Sequence, residues 1–351
     1  MEQRKVLIIM YLRSVFAALF TLTLAVPAAY ALEPISGDVV GAVISYKAQK
    51  NENLSSIAMK FGVGYVELQA ANPNVNPNKI KVGTEITVGA MHLIPSEFAR
   101  EGVVVNLETS RLFYFKDGKQ VMTFPIASGK SGWETPTGVT KVYNKRKDPI
   151  WTPPPRIRAE SPDLPDFIPA GPNNPLGKYA ISVGFDGIMF HGTNSPSSVG
   201  KKVSHGCMRM YAKDIERLFK AVSIGTPVIL MKSGHEIGWQ GDTMFLQMAP
   251  KVKKAKWEET RYAPNLDLYE KIQKAAGPAT TINWRAVEET VWRADGIPVA
   301  IGTRPAQPPQ AAPMPLPASQ PADATTPASP ANPAAPQPER RASLQVIGSI
   351  Q

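Results

Sequence analysis

The apolar and polar positions change rhythm along the chain, and each rhythm predicts a different element. Val43–Tyr46 reads as a short strand. Asn53 then precedes Leu54, Ile57, Ala58 and Phe61 at i, i+3, i+4 and i+7, the stripe of an amphipathic helix with a capping residue at its start. Gly62 ends that helix. Tyr65–Ala71 predicts a second one, stopping before Asn72-Pro73 because proline disfavours helix in the preceding residue. Lys81-Val82-Gly83 turns into a second strand, Glu85–Val88, so residues 43–94 read as a small strand–helix–helix–strand module.

From Gly102 the period becomes two. Val103–Val105 and Leu112–Phe115 are strand-like, and Asp117-Gly118 is a tight hairpin signal before Gln120–Ile126. Val139–Tyr143, Ala180–Val183, Ile188–His191 and Val228–Met231 follow the same pattern. Many short strands with glycine and proline turns predict a mainly-β body over 100–232, an antiparallel sandwich or barrel-like fold. One clear helix interrupts it, Ala212–Val222, with Ile215, Leu218, Phe219 and Val222 on one face. Residues 233–303 read as an appended region with a helix at Asn283–Arg293 and a strand at Ile297–Ile301.

Composition sharpens the two ends and the middle. Val15–Val26 is apolar, follows Arg4, Lys5 and Arg13, and leads to Ala29-Tyr30-Ala31, the pattern of a secretory signal peptide cleaved after Ala31. Leu32 follows the site, so the signal is not of the lipoprotein type; an uncleaved anchor is the alternative. No later segment approaches the ~20 apolar residues of a membrane span. Cleavage takes the net charge from +10 to +8. That excess favours no nucleic-acid reading, because the one dense basic run, Lys251–Lys256, has no aromatic interleaving and reads as a solvated face. Of 34 prolines, nine fall between Pro149 and Pro175 and twelve in the last 51 residues. The first cluster carries Trp151, Ile157, Leu164, Phe167 and Ile168, which predicts an ordered loop or lid rather than disorder. The second, in the Pro/Ala-rich stretch 304–351, predicts an extended, disordered tail.

The candidate chemistry lies at 191–209. Cys207 is the single cysteine of the chain, so no intramolecular disulfide can form. A lone cysteine is often only a small buried hydrophobe. Here it sits in Ser204-His205-Gly206-Cys207, with His191 sixteen residues earlier. A thiol needs a base or a positive charge nearby to become the reactive thiolate, so the residues favour a cysteine nucleophile. A metal site on His191, His205, Cys207 and Asp186 competes, but lacks the paired ligands of a structural zinc site.

Two stretches resemble known families. "LSSIAMKFGVGYVELQAANPNV" and "IKVGTEITV" resemble a LysM domain, which implies binding to N-acetylglucosamine-containing glycan strands; Lys50–Asn53 departs from the family's usual Pro-Gly turn. "MFHGTNSPSSVGKKVSHGCMRM", with "FPIASGKSGWETPTGV" and "WTPPPRIR", resembles the L,D-transpeptidase (YkuD) family in its ErfK/YbiS-like periplasmic subgroup. The resemblance implies a cysteine acyltransferase, with no cofactor and no metal. Cys207 would be the nucleophile and His191 the proton donor and acceptor, oriented by the Gly192 carbonyl. Ser204, His205 and Gly206 would shape the catalytic loop, whose amides at 206–207 would hold the oxyanion. Arg209 stands where many members have asparagine; it would grip a substrate carboxylate or pair with Asp214. Trp151 is the second substrate-binding candidate. The implied partners are peptidoglycan stem peptides and an amine acceptor, either an outer-membrane lipoprotein's C-terminal lysine or another stem (a 3→3 cross-link). A wall-binding scaffold without activity is the reading of a different class.

Overall fold

The computed structural model describes residues 32–252 and 266–305. The predicted signal peptide, the tail from 306 and most of the basic run at 251–256 lie outside the described residues. No helix among the described residues is long and apolar enough to cross a membrane.

In the first module, Val43–Lys47 pairs antiparallel with Glu85–Gly89, and helices Leu54–Phe61 and Tyr65–Ala71 share a core with that pair. The predicted stripe Leu54, Ile57, Ala58 and Phe61 is the buried face, joined by Leu68, Ile86 and Val88. Asn53 caps the first helix reciprocally. Its side chain accepts from the Ser56 N–H, and Ser56 Oγ accepts from the Asn53 N–H. Asn51 takes φ 66°, a left-handed angle that asparagine tolerates, so the Lys50–Asn53 turn forms without glycine.

A nine-stranded sheet forms the body. In spatial order its strands are Glu33–Pro34, Gln120–Pro125, Arg111–Lys116, Gly102–Asn106, Pro227–Met231, Gly138–Lys147, Tyr179–Val183, Met189–His191 and Met208–Arg209. Most neighbours are antiparallel. Two junctions are parallel: Pro227–Met231 on Gly102–Asn106, and Met208–Arg209 on Met189–His191. Parallel neighbours need long connections, and local alternation carries no sign of which distant strands will meet. Arg209 also bridges to Ala127, just past the Gln120–Pro125 strand, so the sheet curls back on itself. Its interior holds Val105, Leu112, Phe124, Ile181, Phe190 and Met208, with Ile215 and Leu218 of helix Ala212–Ala221. Burying Phe124 or Phe190 fully contributes roughly 2–3 kcal/mol each.

The first proline cluster connects Gly138–Lys147 to Tyr179–Val183 and is ordered, as its apolar content predicts. Trp151 and Ile168 exchange backbone hydrogen bonds at 2.9 and 2.8 Å. The buried Asn174 side chain donates to the carbonyls of Pro149, Ile168 and Pro169. Between these ties runs a short helix, Pro155–Glu160, started by proline at its first turn. Residues 233–303 build a four-stranded sheet in the order His235–Gln240, Thr243–Met248, Val299–Thr303, Thr281–Ile282. The helices Leu266–Ala276 and Trp284–Arg293 contribute Leu268, Ile272 and Val287 to its core. The expected helix at 283–293 is present, while the last strand starts at Val299 rather than Ile297.

Candidate active site

Cys207 stands at the end of a tight loop entering strand Met208–Arg209. Gly206 has φ 103°, a backbone angle that favours glycine, and a Cβ there would crowd Ile188 Cδ1 at 3.1 Å. Ser204 Oγ donates to the Cys207 carbonyl at 2.5 Å and accepts the Gly206 N–H at 3.2 Å. From outside the loop, the buried Thr135 hydroxyl donates to the Gly206 carbonyl at 2.7 Å. These bonds fix the direction of the half-buried thiol. Its Sγ donates to the Gly187 carbonyl at 3.2 Å. Burial pushes the thiol above its ordinary value, while the Met189 backbone and the Arg209 charge pull it back.

His191 ends the adjacent strand, and register decides what it faces. Phe190 pairs with Met208 and His191 with Arg209. Phe190 and Met208 point into the core. Because strand side chains alternate, His191, Arg209 and Cys207 share the opposite face. His191 is buried, and its Nδ1 lies 2.6 Å from the Gly192 carbonyl, which fixes the tautomer with the proton on Nδ1 and leaves Nε2 as the basic nitrogen. Burial first, opposed by the Gly192 carbonyl and helped by the Arg209 charge, lowers its pKa to about 4. At neutral pH the imidazole is therefore uncharged and the thiol protonated, and the thiol's hydrogen bond goes to the Gly187 carbonyl rather than to the imidazole.

A sequence profile of the L,D-transpeptidase catalytic domain matches residues 100–230, and one of the LysM domain matches residues 46–89. Over 190 residues the chain is 40% identical to the Escherichia coli (strain K12) protein named Probable L,D-transpeptidase YcfS, spanning 52% of this chain and 59% of that one. It is 37% identical to Probable L,D-transpeptidase ErfK/SrfK of the same strain, spanning 61% and 71% of the two chains. To Probable L,D-transpeptidase YbiS, again of that strain, it is 35% identical over 62% of this chain and 75% of the relative. The chain belongs to the L,D-transpeptidase family. Members are acyltransferases that use a catalytic cysteine.

Around Cys207 the other expected residues separate. Arg209 lies beside Cys207 and His191 and acts on both through its charge. It does not pair with Asp214. That carboxylate is fully buried, has no hydrogen-bond partner for either oxygen among the described residues, and burial pushes it up to about 7. Trp151 sits at the base of the proline segment, where its backbone meets Ile168. The indole that reaches the loop is Trp133, edge-on to His205 with ring centroids 4.6 Å apart. Trp133 Nε1 donates to Glu160 Oε1 at 2.9 Å, and His205 Nε2 lies 3.3 Å from Glu160 Oε2. Arg156 stacks on the Trp133 ring at 3.6 Å. The helix Pro155–Glu160 is thereby clamped to the loop that carries the thiol. Thr135, Trp133 and Glu160 were not candidates from sequence; the first two lie in the "SGWETPTG" stretch, whose family resemblance was the available signal. Among the described residues no group of three His, Cys, Asp or Glu side chains converges as metal ligands would.

Proposed function

We propose that this chain is a periplasmic L,D-transpeptidase in which Cys207 is acylated by the third residue of a peptidoglycan stem and passes that acyl group to an amine. The supporting observation is the shared sheet face of the half-buried Cys207 thiol and the uncharged His191, whose tautomer the Gly192 carbonyl sets. In the first step His191 Nε2 takes the thiol proton as sulfur adds to the stem's amide carbon. The oxyanion is held by the Cys207 N–H, since the Gly206 N–H is turned to Ser204 Oγ. His191 then gives its proton to the departing amine of the terminal D-alanine, the C–N bond breaks, and a thioester remains. An incoming amine loses a proton to His191, forms the new C–N bond, and displaces the thiol. Arg209 supplies a positive charge beside the reacting sulfur and a site for a substrate carboxylate.

The N-terminal signal delivers the chain to the periplasm, and the LysM module holds it on glycan strands. The acceptor is the C-terminal lysine of an outer-membrane lipoprotein. The test is incubation with disaccharide-tetrapeptides, with and without a lipoprotein C-terminal peptide, followed by mass spectrometry. Release of D-alanine with a stem–lysine amide is expected, and Cys207→Ala abolishes both products. Stem–stem 3→3 products alone would replace the lipoprotein acceptor; unchanged product in Cys207→Ala would end the nucleophile assignment.

A further inference from the structure

The sheet continues past the thiol on the same face. Register places Asn144 beside Ser182, Ser182 beside Met189, and Met189 one residue before the Phe190 that pairs with Met208, hence level with Cys207. Two residues along each strand, the parallel row is Arg146, Ala180, His191 and Arg209. The register of strand Gly138–Lys147 slips between Val142 and Asn144. That bulge leaves Val142 in the core and turns both Tyr143 and Asn144 outward, the usual way a bulge re-aims a side chain near a site. Tyr143 is 61% exposed. Over the part of this face from Met189 to Asn144 and Arg146, stopping short of Cys207 itself, lies a cavity of about 280 Å³, lined by Tyr143, Asn144, Arg146, Ser182, Gly187 and Met189 among others. The Gly187 carbonyl in its wall is the atom that the Cys207 thiol touches at 3.2 Å. Arg146 is the one charged side chain among the residues lining it, and it forms no ion pair among the described residues.

We infer that this trough, from Cys207 to Tyr143 and Arg146, holds the acyl-donor peptide on the N-terminal side of the attacked carbonyl, with Arg146 pairing a carboxylate of that peptide. The inference rests on the acyl-transfer reading given above. Three strand spacings separate the Cys207 row end from Asn144, about 14 Å, the length of about four extended residues. An uncompensated guanidinium at one end and a thiol at the other select an acidic peptide of that length over a neutral one. Tyr143 offers a flat apolar wall with a hydroxyl, suited to a peptide backbone lying across it. Arg146 is thus a specificity-determining residue, remote from the proton transfers.

The experiment compares wild type, Arg146→Gln, Arg146→Lys and Tyr143→Ala on a disaccharide-tetrapeptide, following D-alanine release. Carbapenem acylation of Cys207, read as a mass increase, is measured in parallel, because so small an acylating agent does not need the trough. Arg146→Gln is expected to raise KM about tenfold with kcat changed less than about threefold, the loss of one charge-assisted contact. Arg146→Lys recovers part of it, Tyr143→Ala raises KM severalfold, and all variants keep the carbapenem adduct. A stem amidated on its carboxylates binds wild type and Arg146→Gln equally. An unchanged KM in Arg146→Gln, an equal rise for the amidated stem, or an effect confined to the acceptor amine would overturn the inference. Absence of the adduct in wild type would instead sink the acyl-transfer reading itself.

Discussion

At the scale of single residues, the protonation states of two neighbours set how the reaction must begin. His191 is held neutral down to about pH 4 by burial and by Arg209, and burial holds Cys207 protonated above the ordinary thiol range. A resting thiolate–imidazolium pair is therefore disfavoured, and in the proposed mechanism proton transfer accompanies attack on the substrate. Arg209 lowers the pKa of both groups, which favours the charged form of Cys207 and the neutral form of His191. Removing that charge raises the thiol further. In Arg209→Met the pH profile of Cys207 alkylation by iodoacetamide should shift to higher pH, with the rate at pH 8 falling severalfold. A profile that stays in place would show that Arg209 does not act on the sulfur. The wild-type acylation rate should also hold its value on the acid side until pH approaches 4, since His191 protonates only there.

At the scale of elements, the helix Pro155–Glu160 is the part whose placement matters most. It has no buried residue of its own, so it owes its position to Glu160 and Arg156 gripping Trp133 and His205. Contacts between exposed groups are individually weak, so this helix is the part of the segment that opens most readily. Glu160→Ala should release it: amide exchange in peptides spanning 150–170 rises, and the ratio of thioester hydrolysis to transfer increases severalfold as water enters. Unchanged exchange would mean that the ties at Trp151–Ile168 and Asn174 hold the segment alone. This element also marks where sequence reading stops. The stripe from Leu54 to Phe61, the hairpin at Asp117-Gly118, the ordered proline cluster and the Ser204–Cys207 loop were legible because their causes are local. Thr135 bonds a carbonyl 71 positions away, and Glu160 a histidine 45 positions away, so no local pattern announces them. The parallel junctions were hidden for the same reason, and so was the bare carboxylate of Asp214, which a helix pattern reads as an ordinary first-turn acid.

At the scale of the whole described body, the LysM module does not hang free from the catalytic sheet. The Tyr65 N–H donates to the Val199 carbonyl at 3.1 Å, and Tyr211 Oη donates to the Val63 carbonyl at 3.1 Å, two residues beyond Arg209. The chains meet so closely that a Cβ on Gly200 would lie 2.4 Å from the Tyr65 nitrogen. Arg111, on a central strand, closes the contact by donating to Glu67 of the second LysM helix at 2.7 Å, with both side chains at least 92% buried. His92 lies 3.4 Å from the other Glu67 oxygen, but burial and the Arg111 charge push it well below its ordinary value, so it stays neutral and Arg111 is the compensating charge. A buried pair of this kind is costly to break on one side, because the remaining charge loses its partner without regaining water. Arg111→Met should therefore cost about 3–5 kcal/mol in urea unfolding. Glu67→Gln in the same chain removes the stranded carboxylate, so the double variant should be more stable than Arg111→Met alone by well over 1 kcal/mol. If the two changes simply add, the ion pair is not what joins the LysM module to the sheet, and the close backbone contacts at Gly200 and Tyr211 carry the junction instead.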